Sequence, residues 1–213
     1  MAVTLAELVD PSSTAVITME MQRGVCGDLA SMGTLADAVA ESGAIAHTAS
    51  LLAGARAAGV PIVHCTFSLL ADRAGTPMNA PLIQVLAKNP AHLLHGTPAA
   101  ELIPALGLAA GDLVSNRHHG FSPFIGTDLD GILRARNVTT VVVAGVSLNL
   151  GIPGTVVEAL NFGYRVVVAR DCTAGVPAEY GESVIRNTLT IVSTIATGAE
   201  ISAAWSRSAQ ERL

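Results

Sequence analysis

The sequence predicts a single doubly wound α/β domain over residues 1–213, with a parallel sheet of five or six strands and helices on both faces. Three observations carry this reading. Short β-branched runs alternate with longer stretches of helical character, the pattern of strand–helix–strand units. Most of the runs are continuously apolar, as strands buried on both faces should be. At 213 residues the chain is long enough to bury a sizeable core without disulfides or metals.

Residues 15–19 form the first strand run. After it, Leu35, Val39, Ile45, Leu51 and Leu52 recur at roughly helical spacing among alanines, and the segment closes at Gly59 before Pro61. That predicts one long crossover helix. Residues 62–65, 112–115, 140–144 and 165–169 are the next four strands, and residues 189–194 belong to a final strand or helix. Helices are expected over 128–136, 153–162 and 182–188, with Gly163 standing where a helix should end. Residues 72–98, interrupted by Pro and Asn, read as a long loop or short helices beside the site.

Half of the residues are apolar, 14% are charged and mean hydropathy is +0.50. Much of the surface must then be small apolar side chains or contacts between subunits, which points to a homo-oligomer, a dimer or tetramer. No run approaches the roughly 20 apolar residues of a membrane span. Glu7 and Asp10, with no basic residue ahead of an apolar stretch, are the wrong start for a secretory signal, so a cytoplasmic protein is expected. The net charge of −5 without a basic run excludes the electrostatic footprint of a nucleic-acid binder and leaves small metabolites as ligands. Cys26, Cys65 and Cys172 are an odd number at wide spacings and read as reduced buried thiols.

Ligands of open parallel sheets bind beyond the carboxyl ends of the strands. The residues there are Glu20 and Gln22 after the first run, His64 and Phe67 around the end of the second, and Arg117, His118 and His119 after the third. Residues 145–151 follow the fourth run, and Asp171 and Cys172 the fifth. A carboxylate at a buried strand end is costly unless paired or used, which singles out Glu20. His118 and His119 are adjacent and point in different directions, so one can face a site while the other is solvated. His64 is most simply a satisfied core histidine, and Asp171 a cap or ion-pair partner. The turn from Ser147 to Gly151, with Pro153 in the first turn of the following helix, either connects strand to helix or also presents free amides to an anion or polarised carbonyl.

These pieces in order resemble the isochorismatase-like cysteine hydrolase superfamily. The residues concerned are Ala15 through Gln22, Gly96-Thr97-Pro98, Gly111-Asp112, Phe121 through Leu129, Gly145 through Asn149, Thr155, Ala159, Gly163-Tyr164 and Asp171. The resemblance covers roughly residues 12–200. In the family's amidases, an aspartate, a lysine and a cysteine nucleophile form the catalytic set, and the resemblance puts Glu20, His118 and Gly151 at those three positions. Glycine excludes an acyl-thiol intermediate there. Glutamate keeps an acid–base group, and histidine keeps a donor whose charge depends on pH. Family members that cleave a vinyl ether also work without a thiol. The resemblance further implies a cis peptide at Val146–Ser147 and an oxyanion hole from the amides near Ser147 and Gly151.

The leading expectation is a thiol-independent hydrolase of a small polar metabolite carrying a vinyl ether, amide, or cyclic amide or ester. Glu20 is its acid or base, His118 places substrate or water, and Gln22, Phe67, Arg117, His119 and Ser147 bind substrate, with no metal or cofactor. The competing expectation is a non-catalytic homologue that binds a metabolite or partner in the same pocket. A lyase or isomerase on the same Glu/His pair is a third reading. A metal-assisted version through His64, His118 and His119 is weakly supported, because no spacing fixes three ligands on one element.

Overall fold

The computed structural model describes residues 3–210. The strands are β1 (Thr14–Met19), β2 (Ile62–Phe67), β3 (Leu113–Arg117), β4 (Thr140–Val146), β5 (Arg165–Ala174) and β6 (Thr194–Ala196). The helices are α1 (Leu5–Leu8), α2 (Arg23–Cys26), α3 (Gly33–Ser42), α4 (Ala44–Ala57), α5 (Pro81–Leu86), α6 (Leu129–Ala135), α7 (Gly151–Asn161), α8 (Ala178–Val184), α9 (Thr190–Val192) and α10 (Gly198–Gln210). All strand pairs are parallel, in the order β3-β2-β1-β4-β5-β6. The doubly wound fold of the sequence is thus present with six strands.

Both faces of the sheet are covered, and the pleat divides the side chains between them. Val16, Val142, Ala144, Val167 and Ala169 join the core made with α1, α3, α4 and α10. Ala15, Ile17, Met19, Val141, Val143, Val166 and Val168 join the core made with α6, α7 and α8. This alternation within unbroken apolar runs is what burial on two sides produces. Each such Val or Ile contributes about 1.5–3 kcal/mol on burial. The indole Nε1–H of Trp205, 1% exposed, donates to the Val9 carbonyl at 2.8 Å and pins α10 to the chain following α1.

Several boundaries differ from those the sequence suggests. The single crossover helix is two helices, α3 and α4, broken at Gly43 with φ of 68°. The buried Leu35 and Val39 of α3 fall on the opposite helical face from the buried Ala44, Thr48, Leu51 and Ala55 of α4, so the chain must turn between them, and a glycine adopts the positive φ of that turn without strain. The strands β2, β3 and β5 outlast their apolar runs, so Phe67, Arg117, Asp171 and Cys172 lie within strands rather than beyond them. The segment 189–194 splits into a π turn (Ile185–Leu189), the short α9 and the start of β6. The C-terminal helix α10 is an element the sequence reading does not contain.

His64 bears out the core placement but not full satisfaction, since its Nε2 has no hydrogen-bond partner among the described residues. It is fully buried in β2, its Nδ1 shares a 2.8 Å hydrogen bond with Thr18 Oγ1, and its Nε2 stands 3.5 Å from Asp112, which Arg56 neutralises at 2.6 Å. Burial pushes its imidazole below the ordinary value, against the pull of Asp112. An unfolded chain takes up this proton near pH ~6.5 while the folded one resists it. Stability from this group is therefore complete above about pH 6.5 and is lost as the pH falls below it. The melting temperature should drop between about pH 7.5 and 5.5, and drop less in His64→Gln. A profile that is flat or rises on acidification would contradict this.

A candidate active site at the switch point of the sheet

The strand order reverses direction between β1 and β4, so the connections leaving these neighbours diverge and open a crevice at their carboxyl ends. Glu20 directly follows β1, and Ser147 directly follows β4. Both line one cleft of about 690 Å³, counting the part open to solvent. Gly24 and Val25 of α2, Phe67 of β2, Leu82, Ile83 and Leu86 of α5, and Gly151 of α7 complete much of its wall.

Glu20 holds a left-handed backbone, φ 51°, which costs a non-glycine residue on the order of 1–3 kcal/mol. Its amide donates to the Cys65 carbonyl at 2.9 Å, and its own carbonyl accepts from the Gln22 amide at 2.8 Å. This tight elbow turns the side chain to Arg117, whose Nη2 donates to Glu20 Oε1. The Arg117 side chain is 1% exposed and that of Glu20 21%. Arg117 also donates to the carbonyls of Gly120 at 3.4 Å and Thr66 at 3.5 Å, and its guanidinium lies 5.2 Å from the centroid of Phe67. A planar fork so fully engaged is a rigid mount for a carboxylate.

The second half of the site is the start of α7. The peptide Val146–Ser147 is cis, as the resemblance implies. The first amides of a helix have no partner within it. That of Ile152 is taken by the Ser147 carbonyl at 2.9 Å, and Gly151, the first residue of α7, lines the cleft. A Cβ added to Gly151 would stand 2.7 Å from the Val146 carbonyl oxygen and 3.4 Å from Met19 Cε. The backbone of α7 thus sits closer to β4 than any side chain at this position permits.

Of the residues chosen from sequence, Glu20, Phe67, Ser147 and Gly151 meet in the cleft, and Arg117 backs it. The others do not join them. His118 turns away, its Nδ1 2.8 Å from the Ser68 carbonyl and its ring edge-on to His95 at 5.4 Å. The cation opposite Glu20 is its neighbour Arg117, the last residue of β3, while His118 already lies in the bend that follows the strand. His119 packs over Gly126, where an added Cβ would meet its Nε2 at 2.6 Å. The side-chain amide of Gln22 accepts from Phe67 N at 2.8 Å and donates to Phe67 O at 2.9 Å and Ala100 O at 2.8 Å, so it is a strut between β2 and the chain before β3. Asp171 receives the Gly198 amide at 2.7 Å, away from the cleft. His64, His118 and His119 do not converge, and among the described residues no three His, Cys, Asp or Glu form a metal cluster. Two polar wall residues were not singled out from the sequence, Ser31 and His92, which share a 2.8 Å hydrogen bond.

All three cysteines are buried, and burial pushes each thiol up to about 12. None lines the cleft.

The isochorismatase domain model matches residues 14–200. A ureidoacrylate amidohydrolase of Methylorubrum extorquens is 31% identical over 222 aligned residues, which cover 96% of this chain and 87% of that one. A maleamate amidohydrolase of Pseudomonas putida is 32% identical over 133 residues, 61% of this chain; the chain spans only 46% and 59% of the lengths of two curated relatives, the second being this enzyme. Among solved structures, a cysteine hydrolase from Pseudomonas syringae superposes with a TM-score of 0.80 at 25% identity, covering 94% of this chain and 96% of that one.

Proposed function

The chain belongs to the isochorismatase family, and from that premise we propose that it hydrolyses a small metabolite without a thiol, using Glu20 as the proton-transfer group. The observation that carries this is the Glu20 carboxylate, held at the switch-point cleft by buried Arg117 and facing a helix start with no room for a side chain. Arginine has neither a proton to release at ordinary pH nor a lone pair to offer, so within the pair only the carboxylate can accept a proton. Glu20 therefore acts first as a base.

For an amide, Glu20 takes a proton from water as the water oxygen bonds to the carbonyl carbon. The carbonyl electron pair moves to oxygen, and the amides of Ser147 and Gly151 hold that charge. The pair then returns to reform the carbonyl, the carbon–nitrogen bond breaks, and Glu20 hands its proton to the leaving nitrogen. The products are a carboxylic acid and an amine. Cyclic amides and esters follow the same course. The amidohydrolase names of the relatives favour these bonds over a vinyl ether, whose cleavage starts with an acid. His118, turned toward Ser68, is given no part.

The test is a panel of amides, lactams, lactones and enol ethers assayed before and after treatment with iodoacetamide. Turnover of a carbonyl substrate should change by less than about twofold, because a buried thiol is inert as a nucleophile. Loss of activity on alkylation would restore a thiol mechanism. Binding without any turnover would favour the non-catalytic reading.

A further inference from the structure

We propose that His92 is a specificity-determining residue of this cleft, its Nε2 recognising an uncharged hydroxyl or carbonyl group on the apolar body of the substrate. The inference rests on the hydrolase reading for the identity of the cleft and adds the class of molecule that fits it.

The wall of the cleft is mostly apolar, with Val25, Leu35, Leu82, Ile83 and Leu86 among its residues. Its polar side chains are Glu20, Ser147, Ser31 and His92. The first two belong to the reacting end. His92 is 6% exposed, and its Nδ1 is engaged by Ser31 Oγ at 2.8 Å. Its Nε2 is buried without a hydrogen-bond partner among the described residues. With Ser31, Gly24 and Leu93 the ring forms the partition between the cleft and a neighbouring groove. A buried polar atom left without a partner is destabilising, and such atoms are rare in folded proteins. A ligand group that bonds to it recovers that loss, while an apolar group of equal size does not.

The partner is uncharged for two reasons. No Lys or Arg is among the residues lining the cleft, and Arg117 behind it is committed to Glu20. Burial, reinforced by Arg73, pushes the His92 imidazole below its ordinary value, so the ring is neutral. A neutral imidazole has one donor and one acceptor nitrogen, and the Ser31 hydroxyl can take either role. The ring therefore offers its Nε2 as donor to a carbonyl or as either partner to a hydroxyl.

Calorimetric titration with 3- and 4-hydroxybenzamide against 3- and 4-methylbenzamide tests this without needing turnover. The wild-type protein should bind one hydroxylated probe about tenfold more tightly than its methyl counterpart. In His92→Phe the ratio should fall to about one, by loss of affinity for the hydroxylated probe, and His92→Gln should restore part of it. A wild-type protein without preference, no binding of any probe, or an unchanged preference in folded His92→Phe would overturn the proposal. Glu20→Gln, titrated alongside, separates the two readings. A preference kept in that variant, in a protein that turns over no carbonyl substrate, would refute the hydrolase reading and leave the role of His92 standing. Turnover with no effect of His92→Phe on the preference would do the reverse.

Discussion

Exchange of Glu20 for glutamine is expected to lower turnover of a carbonyl substrate by about 10²–10⁴-fold, the usual worth of a positioned proton-transfer group. The same substitution leaves the Arg117 guanidinium, 1% exposed, without its counter-charge. Breaking a buried ion pair from one side costs about 3–5 kcal/mol, so a loss of activity alone would not separate chemistry from unfolding. The double variant Glu20→Gln/Arg117→Met removes both charges. It should regain much of the stability lost by the single variant and none of the activity. Melting curves and initial rates on the three proteins decide the matter. Activity that returned together with stability would mean that the pair only supports the fold.

The second expectation concerns the position where the family's amidases carry their nucleophile. Gly151→Cys should create no thiol-dependent amidase and should destabilise the protein by about 1–3 kcal/mol, the range for overfilling a packed site. The new Cβ would meet the Val146 carbonyl oxygen at 2.7 Å. Relief requires the first turn of α7 to move off β4, carrying the Gly151 amide with it, so the existing activity should fall as well. Gly151→Ala adds the same Cβ without the sulfur and should behave alike. Urea unfolding of both variants, with rates measured before and after iodoacetamide, checks this. A Gly151→Cys protein as stable as its parent and newly sensitive to alkylation would show that the glycine is a simple deletion of a nucleophile. The contact with Val146 says instead that the backbone has closed around its absence.

The sheet was legible because buried parallel strands leave uninterrupted Val, Ile and Ala runs, as residues 140–144 and 165–169 do. The meeting of Glu20, Ser147 and Gly151 was legible too, since strand order puts the ends of β1 and β4 side by side and all three residues follow those ends directly. Arg117 was harder. The third run closes before Asn116, yet β3 extends as far as Arg117, whose guanidinium is satisfied by Glu20 and the carbonyls of Thr66 and Gly120. Motif spacing counted to His118, one residue on, which lies in the bend after β3 and is turned to the Ser68 carbonyl. The break at Gly43 was missed because each side shows helical spacing of its own, while the change of buried face between Val39 and Thr48 passes unnoticed among small alanines. Ser31 had no signal to offer, and His92 had only the reading of residues 72–98 as a segment beside the site. They lie in irregular segments without periodicity, 31 residues and 92 residues into the chain, and only the folded loops bring them to one wall.

The bond from Trp205 to the Val9 carbonyl closes one layer from distant parts of the sequence. Leu8 and Val9 belong to the same core as Ile201, Ala204 and Trp205. That layer is completed along α4 only when α10 docks, so any opening that detaches α10 uncovers the apolar face beneath it.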